Sequence, residues 1–179
     1  MTLALGTTAQ PFSLPGVDGE THSLEDYADA PALAVVWSCN HCPYVQAWEG
    51  RMIALQREFG DRGFRLVAIN SNDTDRYPAD SFEAMQQRAR QRGFNFDYLY
   101  DADQSVARAY RPERTPEVFL FDRDRQLVYH GAIDDSYDES GVQQYYLRDV
   151  LDALFAGGEL PVAETPPVGC SVKWRPNGR

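Results

Sequence analysis

The stretch Leu33-Ala-Val-Val-Trp-Ser-Cys-Asn-His-Cys-Pro43 joins an unbroken apolar run to two cysteines that are separated by two residues. The apolar run, Leu33–Trp37, is typical of a strand that is buried on both faces of a sheet. Over Tyr44–Arg62 apolar residues recur at helical spacing, which predicts an amphipathic helix. The sequence therefore predicts a strand-to-helix turn that carries Cys39 and Cys42.

Cysteines in such a turn are suited to thiol–disulfide chemistry. The start of a helix presents unpaired backbone N–H groups and the positive end of the helix dipole, and both favour a thiolate. A thiol so placed can have its pKa lowered from about 8.5 to ~3.5–7.5. Because residues spaced i and i+3 share one helix face, the two sulfurs are expected to bond without unwinding the helix. We therefore predict that Cys39 is an exposed attacking thiolate and that Cys42 is the resolving thiol.

His41 lies between the two cysteines. A protonated imidazole beside the thiolate would stabilise the reduced form and make the couple more oxidising. We therefore expect His41 to tune the pair.

Metal ligation and an inert pair of core cysteines are the alternative interpretations of this motif. A structural zinc site needs four ligands, whereas the chain has no second C-x-x-C and no His pair at helical spacing. The remaining candidate ligands are scattered along the chain: His22, His130 and Cys170. We therefore predict no metal ion and no bound cofactor, the redox centre being the Cys39–Cys42 disulfide itself.

The rest of the chain alternates strands and helices. The predicted elements are a β-hairpin over 11–24, strands over 64–70 and 96–100 with a helix between them that ends at Gly93, a hairpin over 117–131, and a final helix that carries apolar residues from Val142 to Leu154 and stops at Gly157-Gly158. This order is typical of an α/β fold with a mixed sheet. We expect one domain over residues 1–158 and a tail over residues 159–179 that packs on it.

Cys170 lies in the tail stretch Pro166-Pro-Val-Gly-Cys-Ser-Val-Lys-Trp174. It is a possible third thiol, which would reach the cysteine pair when the tail folds back. The alternative, which we favour, is a tail anchored by Val168, Val172 and Trp174 in which Cys170 is merely buried.

Three features of the chain resemble the thioredoxin-like superfamily, and within it the peroxiredoxin-related, AhpC/TSA-type thiol–disulfide oxidoreductases. They are the stretch 33–43, the helix and strand over 81–100, and the segment Arg114-Thr-Pro-Glu-Val-Phe-Leu120. The resemblance covers about residues 10–157. It implies a thioredoxin-like fold in which a central mixed sheet is flanked by helices, with an N-terminal β-hairpin and a central helix–strand insertion.

The resemblance also implies a substrate groove. In the family a proline at the position of Pro116 is cis and faces the C-x-x-C motif. The backbone of Thr115 would then be free to pair with an extended substrate chain. We expect Trp37 and Asn40 to complete this groove.

The chain also departs from the family. Ser38 stands where many thioredoxin-like proteins have Trp, and the residues between the cysteines are Asn-His instead of Gly-Pro. The P-x-x-x-T-x-x-C pattern of peroxiredoxins fits neither cysteine, since counting back from Cys39 gives Val36 and Ala32. We therefore expect a thiol–disulfide oxidoreductase active in cell redox homeostasis. The alternatives are a thiol peroxidase with antioxidant activity and a non-catalytic metal-binding module.

The composition restricts the partners. The chain has 27 acidic and 17 basic residues and a formal net charge of -10, which disfavours nucleic acid and anionic membrane surfaces. Neither a signal peptide nor a membrane-spanning stretch is visible, so a cytoplasmic protein is expected. The expected partners are protein or small-molecule disulfides and a thiol reductant.

Overall fold

The computed structural model describes residues 1–176 and has a five-stranded mixed sheet at its centre. The strands are β1 (Ser13–Pro15), β2 (Thr21–Ser23), β3 (Leu33–Trp37), β4 (Arg65–Asn70), β5 (Asp97–Tyr100), β6 (Arg114–Thr115), β7 (Glu117–Phe121), β8 (Leu127–Gly131) and β9 (Cys170–Ser171). The helices are α1 (Pro43–Phe59), α2 (Phe82–Arg92), α3 (Ser105–Tyr110) and α4 (Tyr146–Ala156). The order in the central sheet is β5-β4-β3-β7-β8, in which β3, β4 and β5 are parallel and β7 is antiparallel to both its neighbours.

Strand β3 is buried on both faces, as its continuous apolar run predicts. Ala34 and Val36 pack in the cluster that includes residues of α1 and α4. The alternate residues Leu33, Val35 and Trp37 pack with α3 and the N-terminal segment. Full burial of a Val or Leu side chain contributes about 1.5–3 kcal/mol, so this strand is a strong determinant of the fold.

The predicted hairpin and insertion are both present. Strands β1 and β2 form the antiparallel hairpin, and Gly16, at its turn, forms a bridge with Leu99 of β5. Helix α2 and strand β5 form the central insertion and extend the parallel side of the sheet. The hairpin therefore packs against the outer edge of the insertion.

The final helix begins at Tyr146, so its predicted start at Val142 is wrong. The preceding segment makes other hydrogen bonds. The Gln143 backbone N–H donates to the Asp135 carboxylate, and the Asp135 N–H donates to the Gln144 carbonyl. These contacts satisfy backbone hydrogen-bonding groups of the segment in a non-helical conformation.

The C-terminal segment after α4 runs back over the sheet. The Thr165 backbone N–H donates to the His130 carbonyl at 3.0 Å, and β9 then pairs with β6 in antiparallel register. The last three residues of the predicted tail lie outside the described residues. Among the helices of residues 1–176, none has both the length and the apolar character needed to cross a membrane.

Candidate active site

The turn between β3 and α1 holds both cysteines. Cys42 immediately precedes α1, and Pro43 takes the first helical position, where its missing N–H breaks no helical hydrogen bond. Cys39 lies outside the helix. The expectation that the sulfurs share one helix face is therefore wrong, because the helix begins only after the second cysteine. The conformation of the turn brings them together instead.

A buried carboxylate, Asp80, supports this turn. Its Oδ1 accepts hydrogen bonds from the backbone N–H groups of Asn40 at 2.7 Å and His41 at 3.0 Å. Its Oδ2 accepts one from the Asn72 amide at 2.9 Å and bonds to Nδ1 of the His41 ring. Asp80 was not among the predicted site residues, because no local pattern links it to a turn 40 residues earlier. These four donors offset the cost of burying the charge.

Thr115 contacts both sulfurs. Cys39 Sγ lies 3.8 Å from Thr115 Oγ1, and Cys42 Sγ lies 3.4 Å from the Thr115 carbonyl oxygen. The Thr115–Pro116 peptide bond is cis, which confirms that prediction. The structure thus brings the segment that resembles the family's proline loop against the cysteine pair.

The C-terminal strand covers the pair. Cys39 is 2% exposed and Cys42 is 0% exposed, so the predicted exposure of Cys39 is wrong. The cause is β9, in which Cys170 lies opposite Thr115. Cys170 packs against the cluster that the pair forms with Val45, yet it remains partly exposed. The interpretation that we favoured from the sequence, a merely buried Cys170, is therefore wrong, and of the three expected anchors only Val172 is buried.

Cys42 has the environment of a thiolate. Its pKa is lowered to about 4, first because the Cys39 thiol donates a hydrogen bond to its sulfur. The Cys170 thiol and the backbone N–H groups of Val45 and Cys170 act in the same direction, while burial opposes them. The Thr115 carbonyl oxygen, which would accept from a protonated thiol, also opposes ionisation. The donors outnumber this single acceptor, and they favour the charged form.

Cys39 has the opposite environment. The hydrogen bond that its thiol donates to Cys42 raises the pKa of Cys39, and burial and the Asp80 charge raise it further. The electrostatics therefore favour a thiolate on Cys42 and a thiol on Cys39. The sequence placed the attacking thiolate on Cys39 instead, because the helix was expected to start at the first cysteine; that assignment of roles stays a prediction.

Comparison with known proteins identifies the family of this chain. Residues 5–130 match the model of the AhpC/TSA family. The chain belongs to the AhpC/TSA family. It is 41% identical to an uncharacterised conserved protein from Geobacillus kaustophilus, whose crystal structure matches with a TM-score of 0.93 over 98% of this chain and 94% of that one.

Two further relatives connect this AhpC/TSA protein to thiol chemistry and to the fold. The thiol-disulfide oxidoreductase ResA of Geobacillus kaustophilus is 24% identical over 70% of this chain and 67% of its own length. The thioredoxin domain of a thiol-disulfide oxidoreductase from Bacteroides vulgatus matches with a TM-score of 0.61 at 17% identity, over 72% of this chain and 89% of that domain. The fold is therefore thioredoxin-like, with helices on both sides of the central mixed sheet.

The His41 ring in this AhpC/TSA protein is fixed by its neighbours. It bonds to Asp80 and stacks on Tyr77, with ring centroids 5.6 Å apart and planes inclined by 10°. One ring nitrogen also lies within 4.8 Å of the Cys39 sulfur. His41 is close enough to influence Cys39, but its hydrogen bond goes to the carboxylate. The tuning effect stays a prediction.

Trp37 does not line a groove, so that assignment is wrong, whereas Asn40 borders an open pocket with His41 and its assignment stays a prediction. Strand alternation turns Trp37 into the core beside α3, where its indole Nε1 donates to Ser71 Oγ at 3.1 Å. The Asn40 side chain is also buried, since its Oδ1 accepts a hydrogen bond from the Tyr98 hydroxyl at 2.8 Å. Both residues support the turn from within the protein.

The site also contains a cluster that suits a cation. Cys39, His41 and Asp80 each offer one ligand atom, and these atoms lie within 4.8 Å of one another. No sequence pattern indicated Asp80 as a third ligand, because it is distant from the cysteines along the chain. A cation here would compete with the four protein hydrogen bonds that the Asp80 carboxylate already accepts.

Proposed function

We propose that this protein is a thiol–disulfide oxidoreductase that exchanges disulfides through a Cys39–Cys42 couple. One observation carries the proposal: both sulfurs lie against Thr115, beside the cis peptide bond, Cys39 Sγ at 3.8 Å from its Oγ1 and Cys42 Sγ at 3.4 Å from its carbonyl oxygen. The relationship to ResA supports the same chemistry. The couple needs no bound cofactor, because the two cysteines carry both electrons.

The proposed reaction is two successive exchanges. The Cys42 thiolate attacks a disulfide R–S–S–R′, the S–S bond breaks, and R′S⁻ leaves with the electron pair. Cys39 then gives up its proton and attacks the Cys42 sulfur of the mixed disulfide, which closes the Cys39–Cys42 bond and releases RS⁻. The substrate gains two electrons; one leaving thiolate takes up the proton from Cys39, and the other takes up a proton from water. A thiol reductant reverses these steps on the protein.

The peroxidase alternative receives no support from the site. Neither cysteine has the P-x-x-x-T-x-x-C context. The metal-binding alternative depends on the Cys39–His41–Asp80 cluster. Metal analysis of protein purified under reducing conditions tests it: stoichiometric metal would support it, and an empty site with a reversible disulfide would contradict it.

Insulin reduction in the presence of dithiothreitol tests the main proposal. We expect the full chain to accelerate the reaction and both Cys39→Ser and Cys42→Ser to abolish that acceleration. Ser13→Ala, which removes an exposed hydroxyl on β1, is the control and is expected to keep full activity. Wild-type rates equal to the dithiothreitol blank would reject the proposal.

A further inference from the structure

The C-terminal strand occupies the edge at which a substrate chain was expected to bind. Strand β9 pairs with β6 so that Cys170 faces Thr115, and Arg114 faces Ser171. The approach is close, because a Cβ atom on Gly169 would lie 2.0 Å from the Thr115 carbonyl oxygen. The chain thus supplies its own extended segment, with its own cysteine, to the redox site.

This strand is fixed on both sides. Before it, the Thr165 hydroxyl lies 2.7 Å from the Tyr129 hydroxyl and accepts the Ala132 backbone N–H at 2.9 Å. After it, the Lys173 backbone N–H donates to the Asn72 side chain at 2.9 Å. The Lys173 carbonyl accepts the Asp73 backbone N–H at 2.8 Å and the Gln104 side chain at 3.0 Å. Strand β9 is therefore held in place at the site by hydrogen bonds on both sides.

Three sulfurs meet beneath and within this strand, and Cys42 is the central one. Cys170 packs against the cluster of Cys39, Cys42 and Val45, and both neighbouring thiols contribute to the lowered pKa of Cys42. Cys39 and Cys42 are buried, whereas Cys170 is partly exposed. Cys170 is therefore the one cysteine of the three that is open to a thiol in solution, and it packs against the buried pair.

We propose that Cys170 is a third redox thiol, which carries the disulfide from the buried Cys39–Cys42 pair to the surface as a Cys42–Cys170 disulfide. This inference rests on the proposed function, since it needs an oxidised pair to act on. It assigns the C-terminal strand a catalytic residue as well as a covering role.

The exchange balances without an external oxidant. The Cys170 thiolate attacks Cys42 Sγ, the Cys39–Cys42 bond breaks, and the Cys42–Cys170 bond forms. The proton that Cys170 loses passes to Cys39, which becomes a thiol. An external thiol RSH then attacks Cys170 Sγ, which expels Cys42 as a thiolate and forms R–S–S–Cys170. A second RSH releases RSSR and restores the Cys170 thiol.

The environments of the sulfurs suit these steps. In the reduced protein, burial and the neighbouring Cys42 raise the pKa of Cys170 to about 11. When Cys42 is in a disulfide it carries no charge, so part of this barrier to ionisation is removed. In the later step Cys42 is the leaving group, and a thiol of low pKa leaves readily.

Peptide mapping tests whether the Cys42–Cys170 bond forms. No Lys or Arg precedes Arg51, so trypsin places Cys39 and Cys42 in the peptide 1–51 and Cys170 in the peptide 149–173. In full-length Cys39→Ser treated with diamide, we expect these two peptides to become cross-linked. The control adds Cys170→Ser and Ser171→Cys, which keeps the thiol count but turns the thiol to the other face of the strand. Equal cross-linking in the control would overturn a positioned Cys170.

Reduction kinetics test whether the bond lies on the reaction path. We expect glutathione to reduce the oxidised pair at least about tenfold more slowly in Cys170→Ser than in the wild type. In the variant, glutathione reaches the pair only when the structure opens locally. An unchanged rate, or the absence of cross-linking in Cys39→Ser, would overturn the role of Cys170. If instead no Cys39–Cys42 disulfide forms in either protein, the proposed function itself fails.

Discussion

Four neighbouring hydrogen-bond donors lower the pKa of Cys42. They are the thiols of Cys39 and Cys170 and the backbone N–H groups of Val45 and Cys170. A charged sulfur is stabilised in this environment despite its burial, whereas a neutral one gains less. The charge of the reduced pair is therefore a property of the folded turn and of the C-terminal strand together.

The lowered pKa of Cys42 predicts a pH-dependent stability of the reduced protein. The folded pKa is about 4 and the reference value is 9.0, so the folded state releases this proton first as the pH rises. The stabilisation is fully present above the unfolded pKa and is lost as the pH falls through the folded one. We expect thiolate ultraviolet absorbance to disappear with a midpoint near pH 4.

Denaturant unfolding of wild type and Cys42→Ser provides the matching comparison. Over about pH 5–8 the wild type should gain stability relative to the variant as the pH rises. The difference between the two proteins reports this thiol together with the Cys39 and Cys170 thiols that are coupled to it. A thiolate midpoint near that of an ordinary cysteine, with parallel stability profiles, would contradict the assignment of the charge.

At the scale of the elements, local pattern determined most of what could be predicted. The bounds of β3 agree with the apolar run, and the β1–β2 hairpin follows from its turn residues. Alternate residues of a strand share one face, so Trp37 lies on the same face as Leu33 and Val35. This alternation, which is visible in the sequence, should have assigned Trp37 to the core. Asp80 was beyond prediction, because its value to the turn depends on a contact that only the folded chain creates.

Gly169→Ala should separate β9 from the site. The added Cβ would lie 2.0 Å from the Thr115 carbonyl oxygen, and this contact is with backbone that cannot easily move. We expect the pair of the reduced protein to be alkylated by iodoacetamide about tenfold faster or more, since local opening no longer limits access. The Cys42–Cys170 cross-link should also be lost in combination with Cys39→Ser.

Gly50→Ala is the matched control for this substitution. Gly50 lies in α1, and a Cβ there meets no atom within 4 Å. Replacing a helical glycine by alanine is expected to stabilise the protein by roughly 0.5–1 kcal/mol and to leave alkylation unchanged. Identical alkylation rates in Gly169→Ala and Gly50→Ala would show that the strand does not limit access to the sulfurs.

At the scale of the whole molecule, the site depends on long-range pairing. Strand β6 and strand β9 are short, and neither has a sequence pattern that identifies the other as its partner. The sequence therefore indicated that the tail packs on the domain but not that it covers the cysteines. The separation along the chain between Cys39 and β9 also explains why the exposure of Cys39 was predicted wrongly.

A buried ion pair connects helix α1, which begins at the cysteine turn, to the β8 edge of the sheet. The Arg51 guanidinium of α1 bonds to both oxygens of Asp134, at 2.8 and 2.9 Å, and the Trp48 indole donates to the same carboxylate at 2.9 Å. Asp134 follows β8, so this contact holds α1 against the β8 side of the sheet. Removing one partner leaves the other charge buried and uncompensated.

Asp134→Ala is therefore expected to lower the free energy of unfolding by about 3–5 kcal/mol. Asp152→Ala, on the exposed surface of α4, should change it by no more than about 0.5 kcal/mol. Denaturant unfolding measures both variants. Because α1 begins at the cysteine turn, loosening the helix should also speed alkylation of the reduced pair in Asp134→Ala. A variant as stable as Asp152→Ala would mean that the ion pair does not hold the helix, and that the cysteine turn is positioned by Asp80 and the C-terminal strand alone.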